Sequence, residues 1–250
     1  MNEHATQRER VTPTRRGSYG IDAPYAPAFM ALLAAMEFTL AIISKNAWLL
    51  LAVLFILAIL GLSLHDTLRG KFVVWAQLLD GLNLRGDERI LDMGCGRGAV
   101  LLMAAQYLTT GRAVGVDLWR RGDQSGNSSE AARRNAVAEG VADRVELRTA
   151  DMTALPFEDD SFDVVVSSFA IHNISGRVGR NKAIDEAVRV LRPGGRLMIA
   201  DVRATGQYKA RLAELGMSDV ARCGMGWRFW WSGPLAVTGI VTATKPERRN

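Results

Sequence analysis

Cysteine is almost missing from these 250 residues: Cys95 and Cys223 are the only two. Neither a disulfide framework nor a cysteine-built zinc site can be made from such a pair, no metal centre is expected, and a reduced compartment suits the chain. Formal charge is missing from two long stretches. Between Asp22 and Lys45 only Glu37 carries one, and Asn46 to His65 carries none when the histidine is neutral. Internal repeats and long low-complexity tracts are absent as well. The net charge of +5 and the isoelectric point near 9.5 arise from cations scattered along the chain or gathered near its start. Such a distribution lacks the concentrated basic face of a nucleic-acid-binding protein, so DNA and RNA are disfavoured as partners.

Arg8, Arg10, Arg15 and Arg16 share a segment with Pro13, Gly17 and Pro24, through which neither a helical nor a strand period runs. Residues 1–26 therefore read as a disordered basic tail. Residues 27–66 read as a transmembrane helical hairpin. Its second run, Ala47 to Leu64, is apolar on every side of a helix and approaches the roughly 20 residues that span a bilayer core. The first run, Ala28 to Ser44, is shorter and carries Glu37, at a cost of about +3 kcal/mol for an acid at a helix centre, so it needs a hairpin partner. Lys45-Asn46 is the expected turn. Both chain ends then lie on one side, where the arginine-rich tail, Arg69 and Lys71 mark a cytoplasmic face. The apolar region starts too late and runs too long for a cleaved signal peptide. The chain is expected to be membrane-anchored with a cytoplasmic catalytic domain over residues 67–250; buried helices of a larger soluble core, or an oligomer interface, are the competing reading.

Beyond the hairpin the rhythm changes. After a lead-in helix from Phe72 to Leu82, strand-like runs at Arg89–Met93, Arg112–Asp117, Val145–Thr149, Phe162–Ser168 and Leu197–Asp201 alternate with helical stretches at Ala99–Leu108, Ser128–Glu139 and Lys182–Val190. This alternation specifies an α/β fold with parallel strands in a doubly wound sheet. A helix over Tyr208–Leu215 and two strands over Asp219–Cys223 and Leu235–Thr244 complete it. The most informative stretch is Ile90 to Ala99, which sets Asp92, Gly94, Cys95, Gly96 and Gly98 where the first strand turns into a helix. Glycine accepts φ > 0 and lets a ligand lie directly on the backbone. The same glycines also satisfy a degenerate dinucleotide fingerprint, which leaves a nicotinamide-dependent oxidoreductase open.

Val114 to Asp117 then ends a short apolar run in an acid about 20 residues after the glycine turn, where nucleotide folds place a ribose-binding carboxylate. Arg148 to Met152, Leu155 to Ser167 and Val190 to Asp201 follow. Their order and spacing resemble the class I S-adenosylmethionine-dependent methyltransferases, over roughly Val73 to Lys245. The resemblance implies a seven-stranded Rossmann-like methyltransferase sheet with a final antiparallel strand, and S-adenosylmethionine as the cofactor. It implies that Asp117 accepts from both ribose hydroxyls, that Leu118 or Trp119 covers an adenine face, and that Asp151 and the Met152 amide meet the adenine edge. Asp92 and the glycine turn, Cys95 included, would organise the donor's amino acid end. Ser167 to Asn173 would border the sulfonium and the acceptor, with His172 placed to remove an acceptor proton.

Methyl transfer from a sulfonium is an in-line displacement in which the protein mainly positions the reactants and excludes water, so few dedicated catalytic groups are expected. The segment after the fourth strand lacks the Asn/Asp-Pro-Pro-aromatic element of enzymes that methylate amino groups on bases or glutamine. DNA adenine is thereby disfavoured as the acceptor. Two inserts stand out: Trp119–Ser128, whose Arg120 and Arg121 suit an anionic group, and Met225–Trp231, whose aromatic residues suit a water–lipid boundary. The sequence thus points to methyl transfer onto a small or lipophilic acceptor at the cytoplasmic face of a membrane. Two alternatives stand beside it. A nicotinamide-dependent oxidoreductase lacks support from any Tyr-x-x-x-Lys pair, and a catalytically silent cofactor-binding membrane module would keep the glycine turn without turnover.

Overall fold

Helices α1 (Tyr25–Ser44) and α2 (Leu49–His65) pack against each other across the tight turn that the sequence places at Lys45. Lys45 takes φ +54 and returns its amide to Ala41 O and Ile42 O, closing the last turn of α1 in the left-handed manner that ends many helices. Apolar side chains surround both helices, so no face is spared from water by pairing alone. Tyr25, Trp48 and Leu54 are 74%, 78% and 62% exposed. By length and composition two helices, Tyr25–Ser44 and the longer one that starts at Leu49, could cross a membrane.

The second helix does not stop at His65. It passes through one wide turn, Asp66–Gly70, into α3 (Lys71–Asp80), giving 32 helical residues from Leu49 to Asp80. The expected separate lead-in helix is therefore a continuation of the hairpin. No proline interrupts the stretch and its two internal glycines, Gly61 and Gly70, cost only about 1 kcal/mol each, while the wide turn absorbs one extra residue without ending the helix.

The computed structural model describes residues 13, 15–230 and 238–248. After α3 come β1 (Arg89–Met93), α4 (Ala99–Gln106), β2 (Arg112–Asp117), α5 (Ser129–Ala138), β3 (Val145–Thr149) and β4 (Phe162–Ser168). They are followed by α6 (Gly176–Val190), β5 (Leu191–Asp201), α7 (Thr205–Glu214), β6 (Ser218–Gly224) and β7 (Gly239–Thr244). The strands form one seven-stranded sheet in the order β3-β2-β1-β4-β5-β7-β6. The first five are parallel, and β7 runs antiparallel between β5 and β6. Residues 235–237 of the expected last strand lie outside the described residues. The fifth strand starts earlier than its apolar run, at Leu191, because Leu191 pairs with Phe162 before a bulge resets the register at Val164–Arg196. Both faces are covered: Trp75, Leu101 and Leu102 pack on one side, Phe162, Leu191 and Tyr208 on the other. Burial on both faces explains why the central strands read as unbroken apolar runs.

The described part of the basic tail is not disordered. The Arg16 and Gly17 amides donate to Glu139 Oε1 at 2.7 and 2.8 Å, and the Ser18 amide donates to Asn135 Oδ1 at 2.9 Å. The buried Tyr19 hydroxyl reaches the same Glu139 oxygen at 2.7 Å. Ile21 and Ser125 exchange two more bonds, amide to Oγ at 2.8 Å and amide to carbonyl at 2.9 Å. These partners lie more than 100 residues away along the chain, and many are side chains, so no local period reveals them. The result is a strap that crosses α5 and the insert before it.

Candidate active site

A cavity of about 430 Å³ opens at the carboxyl ends of the strands, beside β1, where the sheet order changes direction. Its floor is the glycine turn. Gly94 and Gly96 take φ +76 and +52, and a Cβ on Gly94 would stand 2.2 Å from Ala170 Cβ. Cys95 lies between them, and burial pushes its thiol well above the usual range, so it packs as a neutral side chain. Gly98 sits just outside the cavity wall and, at φ +87, serves as the N-cap of α4.

Three carboxylates reach the cavity from successive strand ends. Asp92 is 1% exposed, and its Oδ1 has no hydrogen-bond partner among the described residues. Burial, reinforced by the charge of Asp117 and opposed by the Leu101 amide, pushes its carboxyl up to about 7. A buried acceptor left open in a ligand-sized cavity is costly unless a ligand donor meets it. Asp117 is already engaged: its Oδ2 accepts from the Gly96 amide at 2.8 Å, and its Oδ1 accepts from the Trp119 amide at 2.5 Å and Asn127 Nδ2 at 3.2 Å. These three bonds brace the strand end against the glycine turn and leave about one acceptor site open, on Oδ2, since a carboxylate offers about four. Asp151 accepts from the Thr153 amide and hydroxyl, both at 2.8 Å, and these bonds hold its carboxyl below the usual range.

Of the two residues expected over an adenine ring, Leu118 lines the cavity, whereas Trp119 lies outside its wall, turns at φ +57 and donates its indole N–H to Thr149 Oγ1 at 2.8 Å. Met152 also lines the cavity, beside Asp151. The insert contributes Arg120, Gln124 and Asn127 to the wall, while Arg121 stays outside it.

Besides Gly98, two more sequence-derived residues are placed elsewhere. Ser167 is buried and donates its hydroxyl to Met93 O at 2.7 Å, stitching β4 to β1, and it is Ser168 that borders the cavity. Alternate residues of a strand face opposite ways, so the neighbour takes the exposed position. His172 is likewise not among the residues lining the cavity. Its Nδ1 lies 2.5 Å from Asp201 Oδ1 without the alignment of a hydrogen bond, and its amide donates to Asp201 Oδ2 at 3.0 Å. Asp201, 1% exposed, also accepts from the Val202 amide at 2.8 Å and the Tyr208 hydroxyl at 3.1 Å. No cluster of histidine, cysteine and acidic residues able to hold a metal occurs among the described residues.

Sequence reasoning missed a wall built by the strap and the hairpin. Asp22 and Lys71 line the cavity, and Trp75 donates its indole N–H to Ser168 Oγ at 2.9 Å. Of the aromatic insert, Phe229 is buried and its ring lies 5.2 Å from that of Phe169, which lines the cavity; Trp231 lies outside the described residues. That part of the insert is packing within the domain.

Residues 91–199 match the family model described as a methyltransferase domain. Over 130 residues the chain is 38% identical to methyltransferase GfsG of Streptomyces halstedii, covering 52% of this chain and 43% of that protein. Over 129 residues it is 35% identical to the ubiquinone/menaquinone biosynthesis C-methyltransferase UbiE of Roseobacter denitrificans, covering 51% of this chain and 48% of that one. The chain thus spans about half the length of the curated relatives it matches. Its fold is similar to that of geranyl diphosphate C-methyltransferase from Streptomyces coelicolor in complex with S-adenosyl-L-homocysteine, with TM-score 0.55 and 17% identity over 70% of this chain and 79% of that one. It is equally similar to the [4+2]-cyclase SpnF, with TM-score 0.55 and 21% identity over 68% and 81% of the two chains.

Proposed function

We propose that this chain is an S-adenosylmethionine-dependent methyltransferase, anchored in a membrane by its helical hairpin and acting on a small lipophilic acceptor at the cytoplasmic face. One observation carries the reading: within the stretch that matches a methyltransferase domain, the partnerless Asp92 Oδ1 and the glycine turn share the wall of one cavity. A shared fold does not by itself fix the reaction, since the same sheet underlies a [4+2]-cyclase. The residues present do fit the donor. When bound, it supplies a methyl group on a positively charged sulfur. Asp117 offers its remaining acceptor site on Oδ2 to a ribose hydroxyl, Leu118 and Met152 offer apolar area to adenine, and Asp92 offers Oδ1 to the α-ammonium.

A lipophilic acceptor is supported by the apolar stretch of wall at Phe169, Ala170 and Ile174, and by the cavity's position at the foot of two uncovered apolar helices. A relative named for quinone biosynthesis fits that choice. The decisive test uses the full chain in detergent. Calorimetry is expected to show binding of S-adenosylhomocysteine, and radiolabelled donor is expected to label the lipid fraction of a membrane extract. No affinity for donor or product sinks the proposal.

The raised carboxyl of Asp92 gives a pH signature. Its folded value of about 7 lies above the ordinary 3.8, so the unliganded protein loses stability as pH rises from 3.8 to 7 and little more beyond. An ammonium partner favours the ionised form, so cofactor affinity is expected to climb with pH up to about 7 and then level. Asp92→Asn should bind weakly at every pH and flatten the profile. A slope that survives in the variant assigns the titration elsewhere.

Away from the cavity wall, His172 is not expected to act as the base. His172→Ala should keep turnover within about threefold of wild type, against the 100-fold or larger loss typical of a removed general base. Asp201→Ala strands the buried Tyr208 hydroxyl and two amides, so its unfolding free energy should fall by about 2–4 kcal/mol. Steady-state kinetics and denaturant unfolding separate the two effects.

A further inference from the structure

One charged wall of the cavity lies outside residues 91–199. Lys71 opens α3, is 3% exposed, and holds Asp22 Oδ2 at 2.6 Å. Asp22 is fixed from two other sides, by the Thr67 hydroxyl at 3.2 Å and by Gln124 Nε2 at 2.7 Å. Gln124 Oε1 in turn accepts the Arg97 amide at 2.8 Å. Hydrogen bonds thus run without a break from the foot of the hairpin to the glycine turn. An ammonium has three N–H donors, and among the described residues Lys71 spends one, on Asp22.

Two cations stand on the described cavity wall, Lys71 and Arg120, and they have different neighbours. The field of Arg120 reaches Asp123 and Asp151, whereas Lys71 is bonded to Asp22 and its field also reaches the buried Asp66. With ribose and adenine drawn to Asp117, Leu118 and Asp151, the zwitterionic end of the donor falls beside Asp92 and the hairpin foot. Asp92 Oδ1 answers the ammonium, which leaves the carboxylate to be answered by a cation.

We propose that Lys71 binds the carboxylate of the donor's amino acid end, with Asp22 and Gln124 as positioning residues, so that the helix rising from the hairpin completes the cofactor site. This rests on S-adenosylmethionine being the cofactor. S-adenosylhomocysteine and 5′-methylthioadenosine, which lacks the amino acid end, separate binding from mere support. In the full chain in detergent, Lys71→Met should weaken S-adenosylhomocysteine about 10- to 100-fold, the usual loss for a charge-assisted pair, while methylthioadenosine stays within about twofold. Lys71→Arg should recover most of the affinity. The charge-balanced Lys71→Met/Asp22→Asn variant, which leaves no unpaired Asp22 behind, should show the same selective loss. Unchanged affinity for S-adenosylhomocysteine, or equal losses for both ligands, overturns the proposal. A wild-type chain that binds neither ligand overturns the cofactor reading and this inference with it.

Discussion

Gly94→Ala is expected to cost the protein its cofactor, with affinity for S-adenosylhomocysteine falling by about 100-fold or more, while its far-ultraviolet circular dichroism stays that of the wild type. Two effects add. Gly94 takes φ +76, a conformation that costs an alanine about 1–2 kcal/mol. Its new Cβ would also stand 2.2 Å from Ala170 Cβ and 3.2 Å from Met152 Cε. Ala170 Cβ is fixed to its backbone and cannot swing aside, so the floor of the cavity and the segment after β4 must separate. Both line the site. Gly96→Ala makes a useful contrast: it shares the positive φ, at +52, but its Cβ would meet Gln124 Oε1 at 2.7 Å, the far end of a side chain that can give way by loosening its bonds to the Arg97 amide and Asp22 without parting two backbone segments. That variant should lose only about tenfold. Calorimetry on both, with thermal unfolding as a control, checks the order; full affinity in Gly94→Ala would remove the glycine turn from the site.

Much of this site is legible in the sequence because its parts are local. A glycine in a strand-to-helix turn, or an acid at the end of an apolar run, reports its own backbone environment, and Asp92, Gly94, Gly96, Asp117 and Asp151 all come to the cavity in that way. Neighbours within a strand are harder. Ser167 and Ser168 are adjacent and identical in type, and only the pleat decides that one bonds Met93 while the other borders the cavity. A lone histidine is harder still, since nothing local tells whether His172 faces a cavity or packs against Asp201. Asp22, Lys71 and Gln124 were out of reach because they meet through contacts spanning 49 and 102 residues. One signal did exist for Lys71. The helical stretch from Leu49 runs past Gly70 with no proline, and a helix of that length must carry its charged end onto the domain that follows.

The same continuity sharpens the expectation for the hairpin. The most apolar stretches of the two long helices are only 11% and 17% buried within the chain, whereas a core helix of a soluble protein is mostly buried. The intact protein should therefore sediment with membranes, resist carbonate extraction and require detergent for release. Leu54 and Leu57 are exposed near the middle of α2. Replacing both with arginine places two charges where each costs about 2.5–3.5 kcal/mol on insertion scales, and should move the protein into the supernatant with its affinity for S-adenosylhomocysteine retained. A second copy of the chain covering the same faces predicts otherwise: the wild type would stay soluble without detergent as an oligomer, and the two arginines would dissociate it. Fractionation of the wild type alone separates these outcomes, and a soluble wild type would end the membrane reading while leaving the cofactor site untouched.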